Sequence, residues 1–312
     1  MSNLTNVDGF ILNAFSNKMM PNTLYFLLFL LIYLITVFGN ILIICVSSID
    51  FHLRTPMYFL LSNLSFMDVC YTSITVPQVM VILFLNPPVI SLRACISQLY
   101  FFLTLAASES SLLAMMAYDR YVAICSPLRY AAIMNKEACL QMTAGTWLIG
   151  CIYGAIHTIN TFRLPFCGPK ILNHFFCDIP PLLKLSCINT YSNEVTIFAV
   201  GGFLMLGCFL LICGSYMNIL LSVLKIPKGE GRGKAFSTCI SHLIVVLLFY
   251  GSGSFMYMRP KSNILADKEW ILSIFYTSIT PLLNPLIYSL RNKDIQKAIV
   301  KQINYKIMHI FR

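Results

Sequence analysis

Charge is scarce in this 312-residue chain: Asp, Glu, Lys and Arg make up only 11% of it, against roughly 25% in a soluble domain. That shortage excludes an ordinary water-soluble helical globule, whose buried helices keep a polar face for solvent. Histidine is equally sparse. His52, His157, His174, His242 and His309 are dispersed along the chain, leaving no cluster of imidazoles and acids for a metal-dependent membrane hydrolase. His174 and Cys177 have zinc-like spacing, but no second pair accompanies them. An internal repeat with helices broken at matching positions is also missing, which argues against a transporter or channel. "KGEGRGK" at 228–234 has the glycines of a phosphate loop but neither a preceding strand nor the required spacing, and reads as a flexible basic loop.

What the chain has instead is hydrophobic length. Of its residues 58% are hydrophobic, and seven stretches with at most one charged residue reach the ~20 residues needed to cross a bilayer. They are 24–46, 56–85 (interrupted by Asp68), 95–117 (interrupted by Glu109), 138–162, 195–224, 235–258 and 270–290. The expected fold is an all-α membrane protein, a seven-transmembrane helix bundle over 23–290. An extracellular N-terminus (1–22) precedes it, and a cytoplasmic amphipathic helix and tail (291–312) follow. In that last segment Ile295, Ala298, Ile299 and Ile303 share one face, with lysines elsewhere, as suits a helix lying on the inner leaflet among membrane lipids.

Orientation follows from the basic residues. With the N-terminus outside, most of the 22 Lys and Arg fall inside, among them Arg54, Arg120, Arg129, Lys225, Lys234, Arg291, Lys297 and Lys301. The net charge of +10 is therefore a positive-inside signature. A nucleic-acid partner is not expected, because the charges sit in short loops beside spans. Residues 1–22 are polar and the first apolar run is of full-span length, so the first helix is expected to direct insertion without a cleavable leader. "NLT" makes Asn3 a glycosylation sequon on the outer side. Of the 12 cysteines, Cys95, Cys167, Cys177 and Cys187 lie outside on this topology. Two disulfides among them have three possible connectivities.

The motifs are more specific than composition. "GN" at Gly39 and Asn40, "LRTPMYFLLSNLSFMDVCY" at 53–71, "MAYDRYVAICSPLRY" at 116–130, "SY" at Ser215 and Tyr216, "KAFSTCISHL" at 234–243 and "PLLNPLIYSLRN" at 281–292 follow one another over nearly the whole chain. In them the chain resembles the rhodopsin-like (class A) G-protein-coupled receptors and, within that group, the odorant receptors. The resemblance implies that Cys95 pairs with Cys177 and Cys167 with Cys187, making the loop 163–194 a stapled lid. It also assigns G-protein coupling and activation to Asp119, Arg120, Tyr121, Tyr216, Asn284, Pro285 and Tyr288. Spacing agrees with this assignment: Arg120 lies 25 residues after Cys95, ~37 Å along a helix rising ~1.5 Å per residue. The acid–base pair therefore sits at the inner interface, where charge is cheap to hold, when Cys95 is at the outer one. Pro285 removes a backbone hydrogen bond and kinks the seventh span.

Asp68 and Glu109 are acids within spans, a costly and usually functional placement. With Asn40 and Asn284, which the implied fold brings near, three readings stand: a bound sodium ion, a shared proton or water, and structural hydrogen bonding. No other cofactor and no metal site are implied. The sixth span reads "FYGSGSFMY" at 249–257, without the Trp and Pro usual in the broader class, so Tyr250 is the candidate ligand-sensing aromatic. A ligand site in the outer half of the bundle selects Phe102, Leu103, Ala106 and Ala107 on the third helix and His157 on the fourth. It adds Val200 and Leu204 on the fifth, Tyr250, Ser254 and Tyr257 on the sixth, and Thr277 on the seventh. No acid lies between Cys95 and Ser108 to hold an ammonium group, so a small, mostly apolar ligand is expected, and the resemblance implies that it is a volatile odorant. Its expected partner is a stimulatory, olfactory-type G protein that raises cyclic AMP at the plasma membrane. A non-olfactory chemosensory receptor of the same class is the alternative, ahead of a transporter or channel.

Overall fold

The computed structural model describes residues 9–13, 21–85, 87–225, 230–257 and 273–310, without the side chains of 230–238, 255–257, 290–291, 293 and 303–310. Asn3 lies outside the described residues, as does the side chain of Tyr257.

Among the described residues, seven helices pack as one bundle: α1 (Asn22–Ile49), α2 (Pro56–Ile82), α3 (Leu92–Cys125), α4 (Lys136–Phe162), α5 (Tyr191–Lys225), α6 (Glu230–Tyr257) and α7 (Thr280–Arg291). A π-helical turn, Phe275–Ile279, leads into α7, and α8 (Lys293–Ile310) follows it. Local chemistry sets several starts. Ser91 accepts the Ala94 N–H at 3.2 Å to begin α3, and Asn135 accepts the Ala138 N–H at 2.8 Å to begin α4. Pro56 opens α2, where its missing N–H costs nothing.

Several helices outrun the apolar stretches that announce them. α3 has 34 residues, ~51 Å at ~1.5 Å each, and so protrudes from a hydrocarbon core ~30 Å thick. The charged stretch at Asp119 and Arg120 remains helical because propagation adds a hydrogen bond per residue once a helix exists.

Burial identifies the axis of the bundle. In the most apolar stretch of α3 78% of the residues are buried, against 11% in that of α5. Contacts of α3 with α2, α4, α5 and α6 surround it. The closest approach is to α4, because Gly150 and Gly154 lie one turn apart on the facing side. A Cβ on Gly150 would stand 2.0 Å from Ser108 Oγ and 2.5 Å from the Thr104 carbonyl oxygen; one on Gly154 would stand 2.3 Å from Thr104 Oγ1. Small residues at this spacing let two membrane helices touch backbone to backbone. The outward faces are apolar. Leu27, Leu31, Leu34 and Phe38 form an exposed stripe on α1, and Phe198, Phe203, Leu206 and Leu210 one on α5, surfaces suited to lipid and not to water.

One end of the bundle is capped. β1 (Gly9–Leu12) pairs antiparallel with β2 (Val89–Ser91) and parallel with β3 (Ile171–Leu172). Phe10 and Leu12 are buried beneath this small sheet, and the Phe10 ring meets Phe166 edge-on at 5.4 Å. The sequence reading assigned residues 1–22 no structure. A four-residue strand carries too little periodicity to register, and this one is held by partners about 80 and 160 positions away. Both disulfides, Cys95–Cys177 and Cys167–Cys187, are at this capped end.

Candidate functional site

The residues nominated for ligand contact divide by environment. Phe102, Leu103 and Ala107 are buried and Ala106 half-buried on α3. The Phe102 ring packs against Tyr71 at 5.0 Å, Phe176 of the lid loop at 4.8 Å and Tyr276 at 5.9 Å. Val200 and Leu204 on α5 are half-buried. Tyr250 on α6 shares a 2.8 Å hydrogen bond with Ser110 on α3. Thr277 is buried and donates to the Ser273 carbonyl. His157 is buried against the Tyr153 ring at 4.2 Å, and neither of its ring nitrogens has a partner. Ser254 is exposed.

Above these residues the lid loop is fastened by bonds the sequence did not announce. Beside the Cys95–Cys177 disulfide, the Cys177 N–H donates to Gln98 Oε1 at 2.9 Å, and Gln98 Nε2 donates to the Ile74 carbonyl at 3.0 Å. Two further bonds reach the start of the seventh span. His174 Nε2 meets Ser273 Oγ at 2.8 Å, and the Tyr276 hydroxyl donates to Asp178 at 3.2 Å. A neutral His174 with its proton on Nδ1 satisfies both ends, giving to the Phe176 carbonyl at 3.1 Å and accepting from Ser273. His174 therefore fastens the lid, while Cys177, which the zinc-like spacing paired with it, is consumed by the disulfide.

Full burial pushes the His174 imidazole down to about 3. The unfolded chain, with an ordinary imidazole near pH ~6.5, then binds more protons than the folded one between the two values. Stability conferred by the neutral ring is present above that ordinary value and is lost as pH falls toward the folded one, at up to about 1.4 kcal/mol per pH unit. The expected result is a melting temperature that falls between pH ~6.5 and ~5 more steeply for the wild type than for His174→Asn. Parallel profiles would remove His174 from this role.

In the middle of the bundle Asn284 Nδ2 lies 3.1 and 3.0 Å from the two Asp68 oxygens, joining α2 to α7. Asn40 is spent differently, donating to the Thr36 and Pro281 carbonyls at 3.0 and 3.2 Å and so binding α1 to the turn before the Pro285 kink. Glu109 is buried and its Oε1 has no partner; the same holds for Asn284 Oδ1 and Asn40 Oδ1. The four polar residues grouped by the sequence reading thus form an Asp68–Asn284 link, a separate Asn40–α7 link and an unpartnered acid.

At the end away from the disulfides, Arg120 is 7% exposed, donates to Met57 Sδ and leaves its Nε unpartnered. Asp119 instead accepts the Tyr130 hydroxyl at 2.8 Å. Among the described residues no ion pair joins these two neighbours. Tyr121 is half-buried with its ring 6.1 Å from Tyr118, and Tyr288 is buried with its hydroxyl unpartnered. The Tyr216 hydroxyl bonds His242 Nδ1 at 2.8 Å, and His242 Nε2 donates to the Leu113 carbonyl at 3.1 Å. His242 escaped the sequence reading of function although it stands inside the quoted "KAFSTCISHL". A polar ring in an apolar span was the available signal.

Comparison with known proteins agrees with this geometry. A family model described as olfactory receptor matches residues 29–306. Human olfactory receptor 10G7 is 46% identical over 306 residues, covering 97% of this chain and 97% of that protein. Mouse olfactory receptor 8G50 is 47% identical over 309 residues, covering 99% of each. The crystal structure of squid rhodopsin superposes with a TM-score of 0.71 at 19% identity, covering 93% of this chain and 88% of that one, a likeness of fold.

Proposed function

Because the chain belongs to the olfactory receptor family, we propose that it detects a small, mostly apolar volatile odorant and answers by activating a stimulatory, olfactory-type G protein that raises cyclic AMP. It is an odorant receptor of the G-protein-coupled class and a multi-pass membrane protein, not an enzyme. The proposed odorant site lies between α3, α5, α6 and α7 near the disulfides, with Phe102, Leu103, Ala106 and Tyr250 in its wall. The proposed orientation is N-terminus outside at the plasma membrane, which exposes Asn3 to glycosylation and turns Arg120 to the cytoplasm. Glu109 Oε1 and Asn284 Oδ1, buried acceptors without partners, suit a sodium ion or a shared proton beside Asp68.

One observation carries the signalling reading: α6 is held to α3 at two heights. Tyr250 bonds Ser110, and two turns away His242 bonds the Leu113 carbonyl while receiving Tyr216 of α5. An odorant that takes Tyr250 from Ser110 releases the upper bond, so that α6 pivots on the lower one and uncovers Arg120. Binding at micromolar strength, about −8 kcal/mol, exceeds the ~1 kcal/mol net worth of such a bond, so the exchange is affordable.

The test is cyclic-AMP accumulation in cells expressing this chain with the olfactory stimulatory G protein, challenged with volatile mixtures. Ser110→Ala is expected to raise basal signalling by about fivefold, the equivalent of ~1 kcal/mol removed from the resting state. Unchanged basal activity in Ser110→Ala at equal surface expression would refute the two-point restraint. No mixture evoking nucleotide exchange would refute the odorant reading.

A further inference from the structure

At the end of the bundle away from the disulfides, the stronger hydrogen-bonding groups are engaged with one another and not with Arg120. Asp119 receives the Tyr130 hydroxyl. The Tyr216 hydroxyl is bonded to His242, and that of Tyr58 donates to Asn292 at 3.2 Å. Among the described residues, the one side chain that accepts from the guanidinium is Met57, in the first turn of α2. A thioether sulfur is a weak acceptor, yet the charge it meets is 7% exposed and its Nε is unpartnered. Buried charges are ordinarily paired and fully hydrogen-bonded, so this arginine is held far more loosely than its burial demands. Methionine suits such a contact. Its unbranched, flexible side chain reaches from α2 to α3 and adapts to what it meets, and Met57 is itself half-buried.

We propose that Met57 is the positioning residue that keeps Arg120 in its resting place, and that the weakness of the thioether as an acceptor sets how readily the arginine is released. The contact stands on the geometry alone; its consequence for signalling rests on the reading of Arg120 as part of the G-protein cavity. A guanidinium bonded to α2 is withheld from a partner entering where α6 opens. Every increase in acceptor strength at position 57 therefore lowers the population in which the charge is free, and every decrease raises it. The sign separates this role from ordinary packing. Lost packing disturbs the fold whichever residue replaces Met57, whereas acceptor strength moves the resting population in both directions.

Two substitutions of similar size use that distinction. Met57→Leu keeps the volume and removes the acceptor; Met57→Gln keeps the length and offers an amide carbonyl for a charge-assisted bond. The full chain in phosphatidylcholine nanodiscs, with neither odorant nor G protein, is treated with phenylglyoxal, which condenses with guanidinium groups, and the adduct at Arg120 is followed by mass spectrometry. Arg120 should react about threefold faster in Met57→Leu and about threefold slower in Met57→Gln, while exposed Arg129, the internal standard, reacts equally in all three chains. Basal cyclic AMP at equal surface density should follow the same order, Leu above Met above Gln. Equal labelling of Arg120 in the three chains would overturn the proposal, as would a change of the same sign in both variants. Ordered labelling without ordered cyclic AMP would keep Met57 as the restraint and refute the coupling role of Arg120. If Met57→Leu folds poorly, Met57→Gln decides alone, because a loosened fold exposes Arg120 and cannot slow its labelling.

Discussion

Gly150→Val should leave almost no receptor at the cell surface. The closest atoms to a Cβ at this position are Ser108 Oγ and the Thr104 backbone carbonyl, at 2.0 and 2.5 Å. The serine can rotate, but a carbonyl within α3 cannot move without shifting the helix at the centre of the bundle. Overpacking that side chains can absorb costs about 1–3 kcal/mol. Where backbone must yield, the cost exceeds that range and becomes a large share of the ~5–15 kcal/mol that holds a protein folded. The matched control is Gly145→Val on the same helix, since a Cβ there meets nothing within 4 Å. Surface immunostaining and size-exclusion of the detergent extract measure the outcome. Equal surface levels for the two variants would show that the α3–α4 contact tolerates a wider spacing.

Arg120→Ala is expected to do the opposite: to spare the fold and silence the response. Among the described residues the arginine makes one side-chain hydrogen bond, to Met57 Sδ, and its Nε is unpartnered, so its removal strands no strong hydrogen-bonding partner. If Arg120 forms part of the G-protein cavity, a lost charge-assisted contact of ~1.5–3 kcal/mol should reduce odorant-evoked cyclic AMP by at least about tenfold. Arg120→Lys should rescue little, because an ammonium cannot reproduce the planar fork of a guanidinium. Full signalling by Arg120→Ala at wild-type surface density would move the coupling surface elsewhere.

Much of this was legible before any coordinates. The helices could be read from apolar run length, because a bilayer obliges each span to satisfy its own backbone over ~20 residues, a constraint written locally. The motifs around Arg120 and Asn284 named the family and, through it, the disulfide pairing that cysteine counting alone left three ways open. The ends of helices were less legible, since α3 continues past Ala117 on hydrogen bonds that hydropathy does not see.

What the sequence determined by itself is the number of the spans and their apolar middles, the family, and the positions of the costly buried groups. Each is a local property of the chain. Only the tertiary structure decided which partners those groups take. Asn40 bonds Pro281 across 241 positions and not Asp68, His242 bonds Leu113 across 129, and His174 fastens the lid to Ser273 across 99. Such bonds depend on which faces meet when helices dock. That choice is made by the fit of surfaces such as Gly150 against Ser108, and it leaves no periodic trace in either partner's own stretch of sequence.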